Sequence, residues 1–472
     1  MATEQDTGIW AQIERRTASV GGPRLFALVV LAQILGMAFF VVDARLCFAL
    51  VIGLAAVIVV IERPLLGVGL LLGARLLSTG AIVFLRVGKV GVGPFEPALI
   101  LCLLGLLAHA LSRRVPLWRD WPWQLPWLAL AGWITASLYW SPDKGEGISD
   151  ILPMAMVLAN TLVILAFVKT VAQVRQMLWF WVGAALLICG LTLAVDLFGI
   201  QVTTVTFKAA SGGGRETGLG QQPNWFAMNL LFIVPTAFGM AITEGVRWRR
   251  YLLLFAGSLI FFMMLKSGSR GSAYATVLAA GLAAMGNATL RKWSLRFGLG
   301  TAVIFALGIG LNIGDSAKAL MRIGSQVALN ENYRQLNWLT CLQMFADTWG
   351  RGIGVGGYEE LLPAYNNYLA QSLYDYPHGI FWEVIAHYGL PGLLLCAWLL
   401  YAVVAQSREL IRRTRGTPVE ILAWTMPATL FGYFAWSFVE FTLNEKPFWE
   451  WLALHTALLL AVRAEQGPER AP

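Results

Sequence analysis

The sequence predicts an all-α polytopic integral membrane protein with twelve to fourteen transmembrane helices. Three observations carry that expectation: 57% of the 472 residues are hydrophobic, only 13% are charged, and apolar runs recur along almost the whole chain. Soluble domains average about 25% charge, so a single soluble core would leave these runs facing water. A helix of ~20 apolar residues crosses a bilayer, and hydrocarbon forces the run to be helical because it offers no partner to an unpaired amide. Disorder, collagen and coiled coil are excluded by the same composition.

In chain order the candidate spans lie near residues 24–42, 46–61, 64–85, 95–111, 123–140, 148–168, 177–199, 225–243, 251–266, 270–286, 295–314, 380–406, 421–441 and 448–463. The runs 46–61 and 251–266 are short enough to merge or re-enter, hence twelve or fourteen crossings. If the chain starts in the cytoplasm, one set of alternate loops holds 21 of the 35 basic residues, including Arg15 and Arg16, Arg113 and Arg114, Arg247, Arg249 and Arg250, and Arg412 and Arg413. Basic short loops mark the cytoplasmic face, so both termini are expected inside. The net charge of +8 follows from this bias, and no nucleic-acid partner is inferred. The first run follows 23 mostly polar residues without a small-residue cleavage site, which predicts a retained signal anchor. Cys47, Cys102, Cys189 and Cys396 sit in apolar runs and Cys341 stands apart, so neither a disulfide framework nor metal-type spacing is present.

Two segments are too long for simple connectors, and long loops more often carry function. Residues 200–224 are Gly-rich and contain Arg215; residues 315–379 hold Leu336, Leu339, Leu342 and Phe345 at helical spacing. Both are expected on the outer side. The stretch Arg351 to Gly357 (RGIGVGG) has no strand before it, so a tight turn ahead of a short helix is expected rather than a nucleotide fingerprint.

His378 lies where the second loop becomes a spanning helix, just after Pro377, which can begin a helix. A helix N-terminus favours the neutral imidazole, the form able to take a proton. Arg270 lies in KSGSRGS, where Ser267 or Ser269 can cap the following helix and the helix start presents free N–H groups to an anion. Arg215 follows three glycines, and arginine grips phosphate oxygens through two bonds. Singly, each arginine reads as ordinary snorkelling; two of them and a histidine on one face read as a site. Arg75, inside a run, needs a partner or a lipid phosphate. Glu383 is placed to pair with a cation, Glu440, Glu445 and Lys446 to form an interfacial cluster, and Trp118, Trp121, Trp123 and Trp127 to form an aromatic belt. His387 is expected to pack within the bundle, and His109 and His455 show no polar company.

His378 with Gly389 and Gly392, the turn Gly352 to Gly356, Ser269-Arg270-Gly271, and Arg215 with Pro223-Asn224 together resemble the O-antigen ligase family, within the superfamily of lipid-linked oligosaccharide ligases and polymerases. The family's Asn after the histidine is Gly379 here, and a usual Leu is Trp382. The resemblance implies a membrane glycosyltransferase of GT-C-like architecture with a long periplasmic loop. It would move a polysaccharide from undecaprenyl pyrophosphate to a sugar of lipid A-core, on the periplasmic face of a bacterial inner membrane. His378 would act on the acceptor hydroxyl, and Arg215 and Arg270 would hold the pyrophosphate. The expected mechanism is inverting, with no cofactor and no metal. An O-antigen polymerase or a protein O-oligosaccharyltransferase would share the donor and much of the signature. A transporter or flippase of lipid-linked sugars is the reading from another class, disfavoured because no internal repeat is found and the polar candidates gather at one face.

Overall fold

The computed structural model describes residues 56–77, 85–87, 90–112, 114–198, 223–310, 328–365, 376–438, 440, 443 and 445–467. The chain divides into two compact units, Met1–Glu62 and Arg63–Pro472, and the second carries everything below. Its elements run α1 Pro64–Leu77, β1 Leu85–Val87, β2 Val90–Val92, α2 Phe95–Leu111, α3 Gln124–Ser137, α4 Lys144–Phe167 and α5 Val171–Phe198. After the glycine-rich segment come α6 Pro223–Leu231, α7 Ile233–Thr243, α8 Arg247–Lys266, α9 Arg270–Gly286 and α10 Ala288–Gly310. Then follow α11 Ala328–Asp347, α12 Gly357–Tyr365, α13 Ile380–Glu383, a π-helical turn Val384–Tyr388, α14 Gly389–Thr414, α15 Glu420–Ser437 and α16 Lys446–Gln466.

The fold is that of an all-α polytopic membrane protein. Five helical stretches among the described residues are long and apolar enough to cross a membrane: Lys144–Phe167, Val171–Ala194, Pro223–Thr243, Arg247–Lys266 and Ile380–Thr414. The expected span 64–85 is helical over Pro64–Leu77, residues 78–84 lie outside the described residues, and at its end an antiparallel strand pair sets Leu85 opposite Val92 and Val87 opposite Val90.

Which helices pack follows from side-chain size. Gly271, Ala275, Ala279 and Ala283 recur every fourth residue of α9 and make a seam of small side chains against α15. A Cβ at Gly432 would stand 2.5 Å from the Ala275 carbonyl, one at Gly271 would strike the Trp436 indole, and one at Gly286 the Trp424 ring, so the two helices run antiparallel in close contact. Within a membrane, where lipid is as apolar as leucine, such close backbone approach is a main source of helix association. α16 is buried all round from Pro447 to Val462 and packs on α4, α5, α14 and α15, as an element apolar on every face must.

The tryptophans near residue 120 do more than line an interface. Trp121, Trp123 and Trp127 are buried, Trp123 donates to Thr456 Oγ1 at 2.8 Å, and both Trp123 and Trp127 meet Trp449 on α16. Only Trp118 of the four keeps the exposure of a belt residue. His455 likewise has polar company, from a distant segment: its Nδ1 lies 2.6 Å from Gln406 Nε2 of α14. The signal-anchor expectation at 24–42 and Cys47 fall outside the described residues.

Candidate active site

The π-helical turn Val384–Tyr388 is the local irregularity from which the site is built. Widening a helix to i→i+5 displaces carbonyls from the ordinary ladder, and in an apolar setting they need new donors. The glycine-rich turn supplies them. Ile353 N donates to Ala386 O at 2.9 Å and Gly354 N to His387 O at 2.9 Å, while Trp133 Nε1 reaches Tyr388 O at 2.9 Å. Leu390 N returns the bond to Gly350 O at 2.8 Å. Gly352 is required on two counts: its φ is +87°, and a Cβ would stand 2.5 Å from the His387 carbonyl. The other side of the turn is held by the α3–α4 corner, where Val355 N donates to Ser137 Oγ at 3.1 Å and Ser141 Oγ donates to Val355 O at 2.6 Å. RGIGVGG is therefore a clasp between helices, and the helix that follows it is the expected short one, α12.

His378 precedes the π turn. The chain does not enter the helix at Pro377. His378 itself has a φ of +55°, Gly379 has +141°, and α13 begins only at Ile380. A non-glycine residue at positive φ costs about 1–3 kcal/mol and tends to mark a functional position. The conformation is held from α11: Trp338 Nε1 donates to His378 O at 3.3 Å, and Asn337 Nδ2 donates to Tyr376 O at 3.2 Å. The Tyr376 and His378 rings lie with centroids 4.0 Å apart. The side chain is only 4% exposed. Burial, and then the positive charge of Arg334, pull its imidazole down from 6.5 to about 3. The shift favours the neutral imidazole, as expected, but through burial and the Arg334 charge and not through a helix start.

Several stretches far apart in sequence converge on the last turn of α15 and the residues after it. Gly271, next to Arg270, packs on Trp436; Gly379, next to His378, lies so close to the Phe438 carbonyl that no Cβ fits. Glu440, 6% exposed, forms an ion pair with Arg334 of α11 and accepts a hydrogen bond from Asn224 Nδ2 of α6. The Ser-Arg segment, the Pro-Asn segment and the histidine thus meet at one end of the bundle. Arg270 is half-buried there, at the start of α9. Ser269 occupies the N-cap position, but its hydroxyl pairs with Ser272 Oγ at 2.9 Å and not with the helix backbone. Arg215 and most of the segment 200–224 lie outside the described residues.

Other expectations are corrected by the packing. Among the described residues Glu383 has no ion-pair partner; its Oε2 accepts from Leu443 N at 2.8 Å and ties the α15–α16 link to α13. Glu440 is a buried hub paired with Arg334, and Lys446 pairs with Glu96 of α2 at 3.0 Å, with Glu445 acted on by both Glu440 and Lys446, so the expected cluster extends to α2 and α11. Arg75 stacks over the Phe95 ring at 5.7 Å, close enough to Glu445 and Glu450 to act on both. α11 is helical as its spacing requires, yet Leu339 and Leu342 are exposed, and the buried face is Asn337, Cys341 and Met344. Polar contacts to the Tyr376–His378 segment and the cluster of Cys341, Met344 and Tyr358 turn the helix that way.

The sequence does not mark Arg334 as a site residue. It lies in a helix of mixed composition, ALNENYRQLNWLT, without a motif around it. Its position in the long insert, ahead of His378, was the available signal.

Residues 252–397 match the family model described as O-antigen ligase. That stretch includes Arg270, the Gly352–Gly356 turn, His378, Gly389 and Gly392, and it supports the O-antigen ligase family for this chain. It ends before Glu440 and begins after Arg215. No curated protein matches the chain.

Proposed function

We propose that this chain, whose residues 252–397 match the O-antigen ligase family model, is a membrane glycosyltransferase acting on a lipid-linked glycan. The donor is a polysaccharide on undecaprenyl pyrophosphate and the acceptor a sugar hydroxyl of lipid A-core, at the periplasmic face of the inner membrane with both termini cytoplasmic. The observation that carries the reading is the meeting of the Arg270 and His378 segments on the last residues of α15, through Trp436 and Phe438.

In the reaction the acceptor oxygen forms a bond to the anomeric carbon as the bond from that carbon to the phosphate oxygen breaks. Attack opposite the leaving group inverts the anomeric centre. Negative charge grows on the departing pyrophosphate, and the guanidinium groups of Arg270 and Arg215 stabilise it. The hydroxyl proton passes to His378. Burial and the Arg334 charge hold the imidazole near 3, where it is a weak base; the negative charge of the arriving pyrophosphate opposes both and raises its basicity toward the working pH. The donor bond is already activated, so no nucleotide is consumed, and two basic side chains supply the charge neutralisation a metal would otherwise provide.

The test is transfer by purified protein with defined donor and acceptor. Wild type labels lipid A-core, and His378→Ala, folded and inserted, does not; full transfer by that variant refutes the catalytic role. Offering a growing glycan and a pilin-like protein beside lipid A-core separates the ligase from a polymerase and from a protein glycosylating enzyme.

A further inference from the structure

At the opposite end of the bundle the surface carries a second, unrelated construction. α4 starts beside the glycine clasp, where Gly147 meets Val355, and α6 starts beside Glu440. The start of α5 and the α7–α8 link, which follow those helices, therefore lie at the far end. A cavity of about 650 Å³ opens there, lined by Arg175, Trp179, Glu244, Trp248 and Arg249 among others. A second, almost wholly apolar groove of about 750 Å³ runs between α1 and α5, along Gly69, Gly73, Phe180, Gly183 and Leu187. The two share Gln176 and Trp179 in their linings, so a mouth carrying charged side chains adjoins an apolar stem.

The dimensions and charges of mouth and stem fit one ligand class. From Gln176 to Ile188 the stem follows twelve residues of α5, roughly 18 Å of helix, and one leaflet is about half of a ~30 Å hydrocarbon core. The stem is deep enough for an acyl chain of the leaflet whose headgroups reach the mouth. Glycines make the stem: nothing lies within 4 Å of a Cβ built at Gly183, and a Cβ at Gly73 would meet only Ala184 at 3.6 Å. At the mouth the negative charge is already spent. Glu244 binds Arg175 at 3.3 Å and the Val246 amide at 3.2 Å, and its carbonyl accepts from Arg250 at 2.6 Å. Arg249 stays exposed with its guanidinium over the Trp248 ring at 5.4 Å, and Trp248 is 63% exposed. A net positive mouth rimmed by two tryptophans at the level of a helix end is the arrangement that receives a phosphate headgroup.

We propose that mouth and stem together bind an anionic phospholipid, its phosphate held by Arg249 and Arg175 and one acyl chain lying in the α1–α5 groove. The site is separate from the His378 end, so a lipid there acts on stability or assembly of the bundle and takes no part in the chemistry.

The experiment uses the full-length protein, purified in detergent and stripped of lipid, with phosphatidylglycerol, phosphatidylcholine or inorganic phosphate added. Native mass spectrometry counts bound lipid, and the melting temperature reports its effect. Phosphatidylglycerol binds saturably and raises the melting temperature; phosphatidylcholine binds more weakly and inorganic phosphate leaves both readings unchanged. Arg249→Gln weakens phosphatidylglycerol binding roughly 5-fold, the effect of one basic residue near a headgroup, and Gly183→Phe, whose Cβ has open space around it and whose ring enters the stem, removes it while the lipid-free melting temperature is kept. Equal binding of the two phospholipids, unchanged affinity in Arg249→Gln, or a wild-type response of Gly183→Phe overturns the proposal. Stabilisation by inorganic phosphate alone overturns it as well, since the acyl chain would then have no part.

Discussion

The amide of Gly354 donates to the carbonyl of His387 at 2.9 Å, and this bond joins a loop turn to the interior of a membrane helix nine residues beyond the candidate catalytic histidine. With Ile353 to Ala386 and Leu390 to Gly350 it makes a three-bond suture across the π turn. Its integrity is a condition for holding His378 in a backbone conformation that costs energy by itself.

Gly352→Ala tests the suture. The new methyl lands against the His387 carbonyl at a positive φ, costing about 1–3 kcal/mol. The expected outcome is a lower melting temperature together with reduced transfer, although no side chain of the site has changed. Unchanged melting and unchanged transfer would show that the clasp does not hold the histidine.

The Arg334–Glu440 pair is the second test. Glu440→Gln leaves a half-buried guanidinium beside His378 without its counter-charge, at a cost of about 1–3 kcal/mol. Arg334→Gln removes one of the two influences that depress the histidine, so its acidic limb in a pH–rate profile moves to higher pH. A limb that stays in place would argue that Arg334 and His378 do not sense each other.

The same depression sets a stability window. Protons bind the unfolded histidine below 6.5 and the folded one only near 3, so between those values the unfolded state carries more protons. Stability is therefore retained above 6.5 and falls as the pH is lowered through that window. Replacing His378 by Gln flattens this part of the stability–pH curve; an unaltered slope between wild type and variant would assign the acid sensitivity elsewhere.

Arg270→Lys and Arg215→Lys address the pyrophosphate. An ammonium supplies charge without the planar fork, and loss of one preorganised donor to a developing charge lowers turnover on the order of 10²-fold. Normal rates in both lysine variants would remove the clamp from the mechanism.

Chelator added to purified enzyme is expected to leave transfer unchanged. Strong inhibition restored by a divalent cation would place a metal in the site.

Much of this architecture was legible because bilayer physics writes itself into composition: helical type, the short helix after the glycine turn and the special status of the His378–Gly389 stretch all follow from local patterns. What escaped depends on contacts between distant segments. Arg334 carries no motif, and its importance exists only once Glu440 and His378 are beside it. The buried face of α11 defied its apolar spacing because hydrogen bonds from Asn337 and Trp338 outweigh the burial of Leu339 and Leu342. Trp123, Trp127 and His455 misled in the same way, since a tryptophan near a helix end or a histidine in an apolar run looks alike whether it faces lipid or a neighbour. Pro377 suggested a helix start, but two consecutive left-handed residues intervene, and handedness is not written in residue type when one of them is a histidine.

The suture also decides what can be transplanted. Because Val355 is fastened to Ser137 and Ser141 while Ile353 and Gly354 are fastened to the π turn, the segment ahead of His378 belongs structurally to three helices at once. A chimera that borrows only that segment from another chain inherits mismatched anchors; the smallest exchangeable unit includes the α3–α4 corner and the start of α14.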